Sequence, residues 1–381
     1  MSTRNLPTLD RRLIYFVVSL LILFMAGTAV ILFARGYNFD FREKTFTKTG
    51  IISISSVPTQ ASVYLNDSLV TATNNTIDNL LPGKYTIKVT KEGYTSWEKE
   101  VEVKKEVVTP LEIVLFPSVP DLSPLTFNGV KDPKYSPDQN KIVYGIKNGD
   151  KSGLWVLDLS DRPLIFSKDP KQIIKDSGGL NFSDSIFTWA PDSKSIVVKF
   201  TDRPEVFLLS SDSLNRDPLN NVSASIAATE NTWAEEDKAE EKSRIQNLPE
   251  MAQKLATTSG KILFSPDEKR FLTFKETPEK KTKASVYDSK PSPDPTVKEA
   301  IFDLPEAKQY FWYPDSQHIV LVEENSISIV EKDGTNKSTI YSGSFDTAFV
   351  FPANNGTRLL IAANFNSSLG NRPNLYAINL R

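Results

Sequence analysis

Residues 135–144 read YSPDQNKIVY, and the pattern returns as TWAPDSKSIVV from Thr188, LFSPDEKRFLTF from Leu263, WYPDSQHIVLV from Trp312 and VFPANNGTRLLIA from Val350. Each copy is the end of an apolar strand, a proline turn, one or two polar residues and a second apolar strand. Proline presets φ for the second position of a type I turn, and an aspartate after it accepts hydrogen bonds from nearby backbone N–H groups. Pro137–Asp138, Pro191–Asp192, Pro266–Asp267 and Pro314–Asp315 therefore mark four hairpins, and the fifth copy is read as keeping Pro352 with Ala353 in place of aspartate. A further strand follows several copies, as in LWVLDL from Leu154, VFLLSS from Val206, ASVYDS from Ala284, SISIVEKDG from Ser326 and NLYAINL from Asn374. The repeating unit is thus a multistranded antiparallel sheet.

The repeat prolines lie 54, 75, 48 and 38 residues apart. Taking an insertion of roughly 27 residues out of the longest step leaves about 48, so all four steps fall near the length of a propeller blade. Five blades are legible, and a sixth fits the degenerate stretch 211–260. With its Ser-Pro-Asp turn and Leu-Trp/Tyr-Val strand, the region 121–381 resembles the TolB-type β-propeller, which implies a fold and leaves function open. The chain ends just after NLYAINL, so the last blade lacks its outer strand, and LSPLTFNG at 122–129 is placed to supply it. Ahead of it, Pro117, Pro120 and Pro124 read as a stiff linker, 118–124, overlapping the start of the propeller. Within the long step, TWAEEDKAEEKSRIQNLPEMAQKLA predicts a helical insertion at about 230–257. A capping box at Thr232 and Glu235 would open it, Pro249 would break it, and Trp233, Ile245, Leu248, Met251 and Leu255 would form the packed face.

Upstream, residues 49–117 read as a small β-sandwich of five or six short strands. Ile52, Ile54 and Ser56 alternate against Ile51 and Ser53, and Tyr85, Ile87 and Val89 share one face of a later strand. Pro82–Gly83 and Glu92–Gly93 mark turns. The run Val57-Pro58, Ala61 to Asn66, Leu81-Pro82-Gly83-Lys84-Tyr85 and Lys91-Glu92-Gly93-Tyr94 before Trp97 resembles the PEGA domain of bacterial and archaeal envelope proteins. It departs from that pattern over Asp67 to Asn75, where the family usually has glycine-containing turns. Gly83 and Gly93 are expected to serve turns, and Tyr94 the core.

LIYFVVSLLILFMAGTAVILFA at 13–34 is a charge-free run that as a helix would span about 33 Å and cross a membrane core of about 30 Å. Secretory h-regions run about 7 to 15 residues, so an uncleaved anchor is expected in place of a signal peptide. Residues 1–12 would be a cytoplasmic tail and 35–48 a stalk. The cations on either side, Arg4, Arg11 and Arg12 against Arg35, Arg42, Lys44 and Lys48, do not decide orientation. The short tail before the helix and the envelope-type domains after it favour an N-terminus inside and the folded domains outside the cytoplasm.

Composition narrows function. Lys plus Arg number 45 against 47 Asp plus Glu, which offers no basic field for nucleic acid. Cysteine is absent and His318 is the one histidine, so thiolate chemistry and multi-histidine metal sites are excluded. No Gly-x-Ser-x-Gly elbow, phosphate loop, His-Glu-x-x-His run or calcium loop occurs. His318 stands four residues after its turn proline, where Lys141, Ser195 and Arg270 stand in other copies, and reads as an exposed turn exit. The fold expected is mostly β: an N-terminal transmembrane helix, a PEGA-like sandwich, and a propeller of five or six blades with a helical insertion. The function expected is non-enzymatic binding of an envelope protein or cell-wall polymer, without cofactor, metal or catalytic residues. A spacer of the surface-layer kind and a glycoside-active propeller using paired carboxylates are the alternatives.

Overall fold

The computed structural model describes residues 11–34, 36–40, 45–160, 169–259, 261–276, 282–289, 299–353, 356–365 and 372–381. The chain divides into two units, 1–115 and 116–381.

In the first unit Arg11–Ala34 is one helix, about 36 Å long at 1.5 Å per residue. Its stretch Arg12–Ala34 has the length and apolarity of a membrane span, with a mean hydropathy of 2.7. Its large apolar side chains, Leu21, Phe24 and Ile31 among them, are exposed, an arrangement suited to hydrocarbon and costly in water. Most of the tail, residues 1–10, lies outside the described residues. The expected stalk contains structure of its own: Tyr37–Asp40 pairs antiparallel with Thr45–Lys48. Phe39 sits opposite Phe46 with ring centroids 5.3 Å apart, edge to face, a cross-strand aromatic pair that stabilises a short hairpin.

Two sheets make the sandwich. One places Gly50–Val57 between Asn75–Leu80 and Val108–Val114, and the other runs Ser68–Ala72, Ser62–Leu65, Gly83–Thr90, Trp97–Val103. That is seven strands, more than five or six. The strands not placed are Ser68–Ala72, read as part of a turn region, and Asn75–Leu80, whose polar sequence NTIDNL hides its period. Ile52, Ile54, Val63, Ile87, Val89, Trp97, Val101 and Ile113 form the core, with Tyr85 and Tyr94 packed against it. The segment that departs from the family pattern turns on asparagine. Asn66 and Asp67, at φ +46° and +65°, make a two-residue hairpin between Leu65 and Ser68, which requires left-handed backbone at both positions. Asn74, at φ +64°, accepts the Ser56 N–H on its Oδ1 at 3.2 Å.

In the second unit five antiparallel sheets of three or four strands occur among the described residues. Their first strands are Lys131–Tyr135, Ile186–Trp189, Ile262–Phe264, Gln309–Trp312 and Val350–Pro352. Contacts link most of these strands to their neighbours. The first touches the second and the fourth touches the fifth. Trp312 Nε1 donates to the Leu263 carbonyl at 2.9 Å, and Tyr135 stacks on Phe351 at 4.5 Å. Apolar side chains fill the wedges between neighbouring sheets, with Ile142, Tyr144, Phe349 and Leu360 in one wedge and Leu272, Val286, Trp312 and Ile319 in another. Sheets arranged radially in this way are a β-propeller.

No strand fills the gap between the second and third sheets; the stretch 211–259 holds two helices instead, Ile226–Gln246 and Glu250–Thr258. The first packs Ile226 and Trp233 on Val197 and Val206 of the second sheet. The second buries Ala252 and Ala256 against Phe271 and Tyr287 of the third. The insertion is therefore a wedge in the ring. It begins six residues before the expected capping box: Thr232 is internal, its hydroxyl donating to the Ala228 carbonyl. Met251, expected on the packed face, is exposed, because Ala252 and Ala256 are the residues small enough to approach the third sheet.

Leu122–Pro124 pairs with the last strand, Asn374–Asn379, as the outer edge of the fifth sheet. An N-terminal segment thus closes the last sheet. Asn374 is buried, and its Oδ1 accepts the Gly129 N–H at 3.0 Å and the Thr126 hydroxyl at 3.2 Å. Thr126 Oγ1 in turn accepts the Leu375 N–H. The stretch read as a linker belongs to this unit: Phe116 is already buried, edge-on to Tyr313 and His318.

Candidate functional site

The repeated turn is built the same way five times. A backbone N–H closes each turn onto the carbonyl three residues earlier, from Gln139 to Ser136, Ser193 to Ala190, Glu268 to Ser265, Ser316 to Tyr313 and Gly356 to Ala353. The closing residue is left-handed in every copy, at φ +60°, +55°, +57°, +59° and +64°. This register corrects the fifth copy. Ala353 matches Ser136, not Asp138, and Pro352 matches the strand residues Tyr135, Trp189, Phe264 and Trp312. The positions matching the Pro-Asp pair fall at 354–355, outside the described residues. Glycine stands at the left-handed site here: a Cβ on Gly356 would meet the Tyr313 hydroxyl oxygen and two ring carbons at 3.0 to 3.3 Å.

The four repeat aspartates hold their own turns. Asp138 accepts the Ser136 hydroxyl and the Asn140 N–H. Asp192 accepts the N–H groups of Lys194 and Ser195 at 2.8 and 2.9 Å. Asp267 accepts the Ser265 hydroxyl and Arg270, and Asp315 the N–H groups of Gln317 and His318. Burial opposes their charge, yet these hydrogen bonds, and for Asp315 above all the bond to the His318 ring, outweigh it and hold all four carboxyls below the ordinary aspartate value. Pro137, Pro191, Pro266 and Pro314 occupy the second turn position. In the sandwich, Gly93 takes φ +80° in the turn from Lys91 to Tyr94, and Pro82 precedes Gly83, which opens its strand.

His318 is buried, not an exposed exit, and its Nδ1 lies 2.7 Å from Asp315 Oδ2. The position it shares with Ser195 and Arg270 folds back on the turn aspartate of the same sheet. Arg270 reaches further, with Nε at 2.9 Å from Asp288 Oδ2, a carboxylate that Lys332 also approaches at 2.5 Å. Asp288 is fully buried.

The first strands run between two cavities. Where they end, a cavity of about 400 Å³ is lined by Tyr135, Phe264, Phe311, Trp312 and Phe351, with Arg244 of the first insertion helix beside Glu268 at 3.2 Å. Where they begin, a cleft of about 560 Å³ is lined by Gly129, Lys131, Asp132, Lys147, Asp184, Asp346 and Arg372 among others. Asp184 is bonded by Lys131 at 2.6 Å and by Lys147, and these bonds hold its carboxyl below the usual range against its partial burial. Asp132 stands at φ +49° in a bulge of the first strand and pairs with Lys134 at 3.1 Å. Asp346 Oδ1 caps the Ala348 N–H, and Arg372 donates to the Lys147 carbonyl. None of this set lies in the repeated turn, so no motif in the sequence marks it. Lys131, Asp184 and Asp346 fall at or ahead of the first strands of three different sheets, but at three different offsets from their turns, so aligning the repeats does not single them out. Among the described residues no cluster of His, Cys, Asp and Glu is arranged to hold a metal ion.

Residues 49–118 match the PEGA domain family. No curated protein matches the chain. Among solved structures, the chain is similar to a putative TolB from Agrobacterium tumefaciens at 16% identity, covering 64% of this chain and 76% of that one with a TM-score of 0.23. It is also similar to TolB from Acinetobacter baumannii at 13% identity, covering 77% of this chain and 59% of that one with a TM-score of 0.25.

Proposed function

We propose that this chain is a membrane-anchored, non-enzymatic envelope protein whose propeller binds a cell-wall polymer or another envelope protein. In this reading the helix Arg11–Ala34 stays as the anchor, and the sandwich and propeller lie outside the cytoplasm. The observation that carries the binding role is the cleft of about 560 Å³ at the start of the first strands, where charged groups of both signs from separate sheets converge. A cavity of this size is in the range that binding sites occupy, and a spacer has no need of one. The apolar helix and the PEGA match support the envelope setting.

The test uses the full chain in neutral-detergent micelles as bait for envelope extract and isolated cell wall. Specific retention of a protein or a wall polymer, competed by excess unlabelled chain, is expected. No retention from either source would leave a spacer. Release of glycan fragments by the purified chain would overturn the non-enzymatic reading.

A further inference from the structure

We infer that the cleft at the start of the first strands is a site for an anionic group, a carboxylate or phosphate, carried by the bound polymer or protein. This rests on the binding reading above and specifies its chemistry. Lys131 opens the first strand of one sheet, Lys147 follows the end of its second strand, Lys141–Ile146, and Asp184 comes from the 3₁₀ turn ahead of the next sheet. Two ammonium groups converge on that single carboxylate, so the cluster carries a net positive charge before Arg372 is counted.

Arg372 is held at the same rim by its bond to the Lys147 carbonyl. Gly129 makes room for it, since a Cβ there would lie 2.9 Å from the Arg372 Cβ. Gly129 is itself tied to the buried Asn374 through its N–H, which places the arginine on a braced edge. The opposing carboxylates are engaged locally. Asp132 pairs with Lys134, and Asp346 caps its own turn. The lining holds three cations, Lys131, Lys147 and Arg372, against three carboxylates, and Lys134, just outside it, offsets Asp132.

Lys131 and Lys147 are about half exposed, at 48% and 56%. An incoming anion can reach both, and its binding should weaken with salt. Asp184 then acts as a built-in competitor, occupying the ammonium groups that a ligand would use. This has a consequence that a purely structural ion pair would not share. Neutralising Asp184 should strengthen anion binding, because the acceptor is removed while both cations remain.

The full chain in neutral-detergent micelles is titrated by fluorescence anisotropy with labelled polyglutamate, labelled inorganic polyphosphate and neutral dextran, at 50 and 500 mM NaCl. Binding of one or both polyanions at low salt, lost at high salt, is expected, with the preferred probe separating carboxylate from phosphate. D184N should tighten binding about threefold, and the double variant K147Q/R372Q should weaken it about five- to tenfold, given the usual worth of exposed charge pairs. The inference is overturned if wild type binds neither polyanion at 50 mM NaCl, if folded D184N binds no tighter, or if K147Q/R372Q binds as well as wild type. K147Q/R372Q alters exposed groups only, so it remains informative should D184N fail to fold. Retention of an uncharged wall polymer together with no polyanion binding would sink this inference and leave the binding function standing.

Discussion

The backbone N–H of Asp267 donates to Ser316 Oγ, in the next sheet of the ring, at 3.1 Å. Asp138 makes the same bond to Ser193 at 2.9 Å. Two further contacts repeat with it. Lys141 Nζ and Arg270 reach the carbonyls of Ser193 and Ser316, each at 3.3 Å. Trp189 and Trp312 Nε1 donate to the carbonyls of Lys134 and Leu263, each at 2.9 Å. The first and second sheets therefore meet as the third and fourth do, and the helices fill the junction between these two pairs.

That junction bond should be measurable one residue at a time. Ser193→Ala removes the acceptor of the part-buried Asp138 N–H and is expected to cost about 1 kcal/mol. Gln139→Ala, at the equivalent left-handed position but exposed, should cost almost nothing. Urea midpoints of the full chain in micelles, read by tryptophan fluorescence, make the comparison, and equal midpoints for the two variants would remove the junction's share in stability.

Asp288 neutralises two cations in the interior, Arg270 and Lys332. Asp288→Ala leaves both without it and is expected to cost about 3–5 kcal/mol. Lys332→Met leaves the Arg270 pair intact and should cost clearly less. Thermal unfolding of the two variants decides this, and a Lys332→Met chain as unstable as Asp288→Ala would show that the lysine carries the network.

Thr126 joins the closing segment to the last strand. Thr126→Val keeps the shape but strands the buried Leu375 N–H, with an expected loss of about 1–3 kcal/mol. The loosened Leu122–Pro124 strand would bare a sheet edge. Limited proteolysis should then cut ahead of Val130 in the variant before it cuts wild type, and an unchanged cleavage pattern would mean that the ring does not depend on this clasp.

Asp192 links stability to pH chiefly through hydrogen bonds from neutral groups, two N–H groups and the Ser195 hydroxyl. Its folded pKa is depressed, so its contribution is fully present above the unfolded value of about 3.9 and is lost as pH falls through the folded value. Asp192→Asn still offers an acceptor oxygen but has no charge to lose. Melting temperatures recorded from pH 6 to pH 2 should decline less steeply below pH 4 in the variant, and parallel curves would count against the assignment.

Short-range periodicity carried most of the fold in legible form. The alternation at Ile52, Ile54, Ile87 and Val89, the apolar run 13–34 and the Pro-Asp turns depend only on nearest neighbours along the chain, so they can be read from residue order alone. The segment 122–129 could be placed because the last repeat was visibly one strand short. What residue order misplaced depends on contacts between distant residues. Pro352 falls in a strand because the Ala353 N–H meets the Arg358 carbonyl, as Ser136 meets Lys141. His318 is buried because Phe116, about two hundred residues earlier, packs on it. The helical insertion itself was legible, but its packed face was not, because Ala252 and Ala256, and not Met251, approach Phe271 and Tyr287. The candidate site lies wholly in this second class. Lys131, Lys147, Asp184 and Arg372 stand far apart in the chain with no motif between them, and only the closing of the ring gathers their charges into one cleft.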